Sequence, residues 1–244
     1  MELRPPAADW DPAVALAEVK ARIHVAEASC GRAGAGVRLL VATKTWNADA
    51  VRAVVATGAT LVGESRMQEL AEKADALAAS RAQVHVIGQL QRNKAAVAVE
   101  HATCIQTVDS LRLAERLSRL AAEREKELGV MIQVNVSGEE SKAGVDPSEA
   151  LSLAAAVQAL PWLTVTGFMT IGLNSPDEEA VRAGYRQLCQ IRDTALIESE
   201  RGRYDLREAW ELSMGMSNDL EWAIAEGATM VRVGTAVMGA RPSH

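Results

Sequence analysis

The chain has 244 residues, 48% hydrophobic and 24% charged, which suits one large domain or two small ones with a substantial core. Its formal net charge of −6 weighs against a general affinity for nucleic acid or anionic membrane, since both reward an excess of Lys and Arg. No apolar run approaches the roughly 18 to 20 residues of a membrane span, and the opening MELRPPAADWDP lacks the apolar core of a signal peptide. A cytoplasmic protein with no membrane or nucleic-acid partner is therefore expected.

In chain order, a helix is predicted over 11–29, followed by a first apolar run, VRLLVATK (37–44), that closes on a lysine. The next unit, NADAVRAVVATG (47–58), is helical: Val51, Val54 and Val55 share a face, Asn47 or Asp49 can cap the start, and Gly58 stands where a C-cap glycine would. Further strands are predicted at 60–65, 84–90, 104–110, 130–136, 164–172, 210–217 and 230–239, and further helices at 65–80, 110–129, 146–160, 175–199 and 217–227. The strands are apolar on consecutive rather than alternate positions, as strands buried on both faces are. Eight such units in this length predict an α/β fold, a single (β/α)8 TIM barrel forming one domain over 1–244, with the barrel spanning about 37–241. An open doubly wound sheet is the alternative, because periodicity does not show closure.

In such barrels chemistry sits at the C-terminal ends of the strands. The residues there are Lys44, Ser65, Gln89, Asp109, Asn135, Met169, Ser217 and the segment Arg232 to Thr235. Of the six lysines, Lys20, Lys73 and Lys126 lie in charged helical surroundings and read as solvated faces, while Lys94 and Lys142 lie in polar loops and could reach an anion. Lys44 alone is embedded in a predicted strand. It is either a snorkelling or ion-paired lysine, or a desolvated amine whose neutral form can attack a carbonyl.

Ser217, Asn218 and Asp219 open a predicted helix, where backbone N–H groups favour an anion, and Gly234 and Thr235 follow the last strand. The plainer readings are a helix cap and a packing glycine. Cys30, Cys104 and Cys189 read as packing residues of a reduced compartment, and the histidines at 24, 85, 101 and 244 lack metal-ligand spacing, so no metal is expected. A strand-end lysine facing a barrel phosphate site describes a binder of a phosphorylated aldehyde, and pyridoxal 5′-phosphate (PLP) is the obvious candidate.

The motifs LVATKTW, GESRMQEL, VHVIGQLQRNK, IQTVDS, IQVNVSGEESKAG, VTGFMTIG and LSMGMSNDLEWAIAEGATMVRVGTAVMGAR, in this order and spacing, resemble the YggS/PROSC family of PLP homeostasis proteins. The resemblance implies a fold-type III barrel like the N-terminal domain of alanine racemase. It places the Schiff-base lysine on Lys44, as a covalent internal aldimine with PLP, and the phosphate-binding serine on Ser217. The Arg-x-Gly-Thr motif falls on Arg232, Gly234 and Thr235, with Arg232 facing the pyridine nitrogen and the other two joining Ser217 at the phosphate. An arginine there keeps the ring nitrogen unprotonated and weakens the cofactor as an electron sink. Met169 and Ser65, at strand ends, complete the expected cofactor set.

Two positions depart from the family pattern: Ser65 replaces its usual Asn, and Gln89 its usual His. The implied function is PLP binding for intracellular buffering or delivery, with little or no catalysis and apo-PLP enzymes as partners; separately from the resemblance, a monomer is expected. The alternatives are a racemase-like PLP enzyme using a single lysine base, and a lysine-dependent aldolase without cofactor.

Overall fold

The computed structural model describes residues 3, 5, 7, 9–139 and 142–239, so the limits expected for the domain (Met1 and His244) and the expected end of the barrel (241) lie outside the described residues. Strands β1 (Arg38–Ala42), β2 (Leu61–Glu64), β3 (Gln83–Val86), β4 (Cys104–Val108), β5 (Leu128–Gln133), β6 (Leu163–Met169), β7 (Glu211–Ser213) and β8 (Met230–Val233) form a closed parallel barrel. Closure is made by β8 pairing back on β1, with Leu39 opposite Val231 and Val41 opposite Val233, which decides against the open sheet. The uninterrupted apolar runs follow from burial on both faces. Val41, Val62, Val86, Ile105 and Val130 belong to the core packed under the helices, whereas Leu40, Leu61, Cys104, Met131, Met169 and Met230 form a separate cluster with Ile87 against it.

The helices are α1 (Pro12–Ser29), α2 (Ala48–Ala56), α3 (Met67–Glu72), α4 (Ala74–Ala78), α5 (Ala95–His101), α6 (Leu111–Ala122), α7 (Ala150–Gln158), α8 (Glu178–Glu200), α9 (Leu220–Ala225) and α10 (Thr235–Met238). Asp11 caps α1 by accepting from the Ala13 and Val14 amides, and Asn47 caps α2 by accepting from Ala50. Gly58 ends that unit at φ +95°, a conformation that costs glycine nothing.

Several expectations need correcting. The helix expected over 110–129 stops at Ala122, because Glu125 turns left-handed at φ 49° and Leu128 already belongs to β5. The strand expected over 230–239 ends at Val233 and turns into α10. Helix α5 goes unmarked in the sequence because seven residues carry too few apolar repeats to show a period. Lys73 is no solvated face. It is completely buried at the break between α3 and α4, ion-paired to Glu64 at 2.6 Å. Lys126 is half-buried, and its Nζ donates to the carbonyls of Val99, Glu100 and Ala102 at the end of α5.

All three cysteines are free thiols, and burial pushes Cys104 up to about 12. Among the described residues no cluster of three His, Cys, Asp or Glu could hold a metal, and no helix is long and apolar enough to cross a membrane.

Gly167 in β6 stands opposite Glu211 in β7, so close that an added Cβ would lie 2.1 Å from the Glu211 carbonyl oxygen. Backbone cannot yield as a flexible side chain does. Gly167→Ala is therefore expected to cost about 3 kcal/mol of stability, read as a lowered urea midpoint; an unchanged midpoint would contradict this packing.

Candidate active site at the barrel mouth

A cleft of about 560 Å³ opens at the C-terminal ends of the strands. Six of the seven residues expected there line it: Lys44, Ser65, Ser217, Arg232, Gly234 and Thr235. Met169 does not; it is fully buried among the barrel-filling side chains. Of the two departures from the family pattern, Ser65 faces the cleft, whereas Gln89 is exposed outside its lining.

Lys44 lies beyond β1 rather than within it, half-buried in the turn that leads to Trp46. Trp46 is buried and stacks on Trp10 with ring centroids 6.4 Å apart, and Trp10 Nε1 donates to the Val237 carbonyl at 2.8 Å. The aromatic pair thus ties the Lys44 turn to α10, the element that begins at Thr235.

Much of the remaining lining comes from the loops after β7 and β8. The backbone N–H groups of Ser217, Asn218, Gly234 and Thr235 donate to no acceptor among the described residues, and the hydroxyls of Ser217 and Thr235 stand beside them. A Cβ on Gly234 would lie 3.4 Å from the Ala42 carbonyl oxygen, filling space at the seam between β8 and β1. Since α9 has only six residues, its dipole adds little here, and the unpaired N–H groups are the larger attraction for an anion. Asp219 organises this loop: Oδ1 accepts from the Met216 amide at 2.5 Å, and Oδ2 accepts from the Tyr185 hydroxyl at 2.8 Å.

Tyr185 is a residue that sequence reasoning sets aside. It sits on the apolar stripe of α8 with Val181 and Leu188 and reads as core, and nothing in that spacing shows its hydroxyl reaching the loop after β7. Burial, then the Asp219 carboxylate, raises its pKa well above the usual tyrosine range, so it stays a protonated donor.

Arg232 is 6% exposed and held at the head of a buried polar chain. Its guanidinium donates to Ser213 Oγ at 2.9 Å and to the Thr170 carbonyl at 2.7 Å. Ser213 Oγ donates to Gln106 Oε1 at 2.7 Å, and Gln106 Nε2 donates to His85 Nδ1 at 2.8 Å. Burial lowers the guanidinium's pKa, opposed by Tyr185 and Asp219. Lys142 also lines the cleft, its Nζ donating to the Gly172 carbonyl at 2.9 Å and pairing with Glu139 at 2.7 Å. Among the described residues the lining thus carries Lys44, Lys142 and Arg232 against one carboxylate, Asp219, whose oxygens are both engaged, with Glu139 pairing Lys142 from outside it. An anionic ligand suits this set.

The alanine racemase N-terminal domain family matches residues 14–242. The pyridoxal phosphate homeostasis protein of Pseudomonas aeruginosa is 41% identical over 226 residues, covering 93% of this chain and 94% of the relative. Among solved structures, PipY of Synechococcus elongatus with PLP bound is 32% identical at a TM-score of 0.78, covering 93% of this chain and all (100%) of that one. An alanine racemase of Clostridium difficile, 16% identical, superimposes at a TM-score of 0.74 over 98% of this chain and 59% of its own length, a likeness of fold alone. By sequence and by fold, the chain belongs to the pyridoxal phosphate homeostasis protein family.

Proposed function

We propose that the cleft binds PLP through a Schiff base on Lys44 and that the protein buffers or delivers the cofactor in the cytoplasm with little or no catalysis. The observation that carries this reading is the meeting, in one cleft, of Lys44 with two hydroxyls and four backbone N–H groups, from the loops after β7 and β8, that donate to no acceptor among the described residues. Ser217, Asn218, Gly234 and Thr235 would take the phosphate. Lys44 would take the aldehyde: its neutral amine adds to the carbonyl carbon, a C=N bond replaces C=O, and one water leaves. The bond is hydrolysed by the reverse route, which is what a carrier needs.

Arg232 is assigned to the ring nitrogen. Its contacts with Ser213 and Thr170 fix the plane of the guanidinium, and a permanently charged donor leaves that nitrogen unprotonated. When bound, PLP otherwise supplies an electron sink for amino-acid chemistry, and this arrangement blunts it. Neither described tyrosine lines the cleft, and Tyr185 is occupied by Asp219, so the second acid or base of a racemase lacks an obvious tyrosine candidate here. The names of the curated relatives support homeostasis rather than turnover. Free thiols suit a reducing compartment.

The deciding experiment is an absorbance titration with PLP followed by incubation of the loaded protein with an apo-PLP enzyme. Saturable binding and recovered enzyme activity are expected; a preparation that stays colourless with added PLP would sink the reading. Sustained turnover of any member of a D- and L-amino-acid panel would replace the carrier with an enzyme. Ser217→Ala is expected to weaken PLP retention about ten-fold, measured by equilibrium dialysis, and wild-type retention would remove Ser217 from the phosphate site.

A further inference from the structure

The turn that presents Lys44 rests on buried charges that cofactor binding does not require. Lys73 and Glu64 are both completely buried. Lys73 Nζ lies 2.6 Å from Glu64 Oε1 and 3.8 Å from Glu69 Oε2, and it donates to the Thr43 carbonyl at 3.0 Å. Thr43 donates its hydroxyl to Glu64 Oε1 at 2.5 Å, and Thr45 donates its N–H to Glu69 Oε2 at 2.6 Å. The chain neighbours of Lys44 are therefore both tied to this cluster, Thr43 to Lys73 and Glu64 and Thr45 to Glu69.

Such a cluster is a poor way to gain stability. Removing two carboxylates and an ammonium from water costs several kcal/mol per ion, and an apolar trio of similar volume would often do as well or better. Burial raises the Glu64 carboxyl's pKa even with Lys73 opposing it, and Glu64 Oε2 has no hydrogen-bond partner among the described residues. Thr45 adds a further cost at φ 75°, in the left-handed region that β-branched residues avoid. Strain of this kind persists where the surroundings over-determine it, typically at functional sites. Here the Glu69 carboxylate pins the strained residue directly.

We propose that Lys73 is a positioning residue for Lys44: by bridging Glu64, Glu69 and the Thr43 carbonyl it fixes the turn that aims the Lys44 amine into the cleft. The inference rests on Lys44 being the covalent anchor for PLP. It separates two events that share one cleft. Holding ring and phosphate depends on the loops after β7 and β8, whereas forming the bond depends on where the β1 turn puts an amine, and small displacements there are costly.

The test uses K73M/E64Q, which removes one positive and one negative charge, so the net charge of the cluster is kept, and which conserves side-chain size. Pyridoxine 5′-phosphate, carrying an alcohol in place of the aldehyde, reports binding without bond formation, and stopped-flow absorbance with PLP reports the bond. The variant is expected to bind the alcohol within about two-fold of wild type and to form the bond about ten-fold more slowly. Unchanged bond formation would overturn the proposal, as would a parallel loss of alcohol binding, which a merely structural role predicts. Should the double variant not fold, T43V, which deletes the hydroxyl and with it the contacts to Glu64 Oε1 and the Gly63 carbonyl, is expected to slow the bond about three-fold with alcohol binding intact, and an unslowed T43V would overturn the proposal. A wild type that binds the alcohol but shows no absorbance change with PLP would instead overturn Lys44 as anchor, and the role of Lys73 with it.

Discussion

Lys44→Ala protein is expected to give no Schiff-base absorbance with PLP and to lose the cofactor on gel filtration, its affinity falling about a hundred-fold. The loss should be specific. Lys44 is half-buried in a turn, outside the hydrogen-bonded strands, so its truncation is expected to change stability by less than about 1 kcal/mol. Phosphate recognition is expected to survive, because Ser217, Asn218, Gly234 and Thr235 come from other elements. Pyridoxine 5′-phosphate should therefore bind the variant nearly as it binds wild type. Absorbance that persists in Lys44→Ala would move the covalent bond to another amine, and Lys142, which lines the same cleft, is the one to replace next.

The barrel's eight strands were legible in the sequence because they are buried on both faces and read as uninterrupted apolar runs, whereas closure rests on the pairing of β8 with β1, which no period records. The mouth was legible for a similar reason: a strand's last residues change character where the chain leaves the core, which singled out Lys44, Ser65, Ser217 and Arg232. Met169 shows where that rule misleads. It ends β6, yet successive residues of a strand alternate faces, and this one fills the barrel interior.

The supporting layer was not legible. Lys73 sits in ELAEKADAL, which reads as an exposed charged helix, and only the break between α3 and α4 turns it inward onto Glu64. Tyr185 and Asp219 are 34 positions apart and meet through the path of the chain rather than through any local pattern. Long-range polar contacts of this kind leave no period in a sequence, so the residues that hold a site are harder to read than those that line it.

His85 supplies a test of that hidden layer. It is 4% exposed, and its Nδ1 accepts from Gln106, so the folded protein holds it neutral. Burial, reinforced by the Arg38 charge, lowers its pKa from 6.5 to about 3. Above pH 6.5 the ring is neutral in both the folded and unfolded chain and contributes nothing to the pH dependence. Below that value the unfolded chain takes up a proton that the folded chain refuses until about pH 3, so stability falls as pH falls through this window.

At about 1.4 kcal/mol per pH unit, His85 alone is expected to cost the wild type about 3 kcal/mol by roughly pH 4. His85→Gln keeps an acceptor for Gln106 Nε2 and cannot titrate. The raised carboxyls of Glu64 and Glu211 act in the opposite sense, gaining stability as they protonate, but they are common to both proteins and cancel in the comparison. Urea unfolding at about pH 7.5 and about pH 4 should therefore show the variant gaining about 3 kcal/mol on the wild type across the interval. Parallel losses in the two proteins would mean that His85 is protonated in the fold. Its Nδ1 could not then accept from Gln106, and the chain from Gln106 through Ser213 to Arg232 would lack the anchor assigned to it.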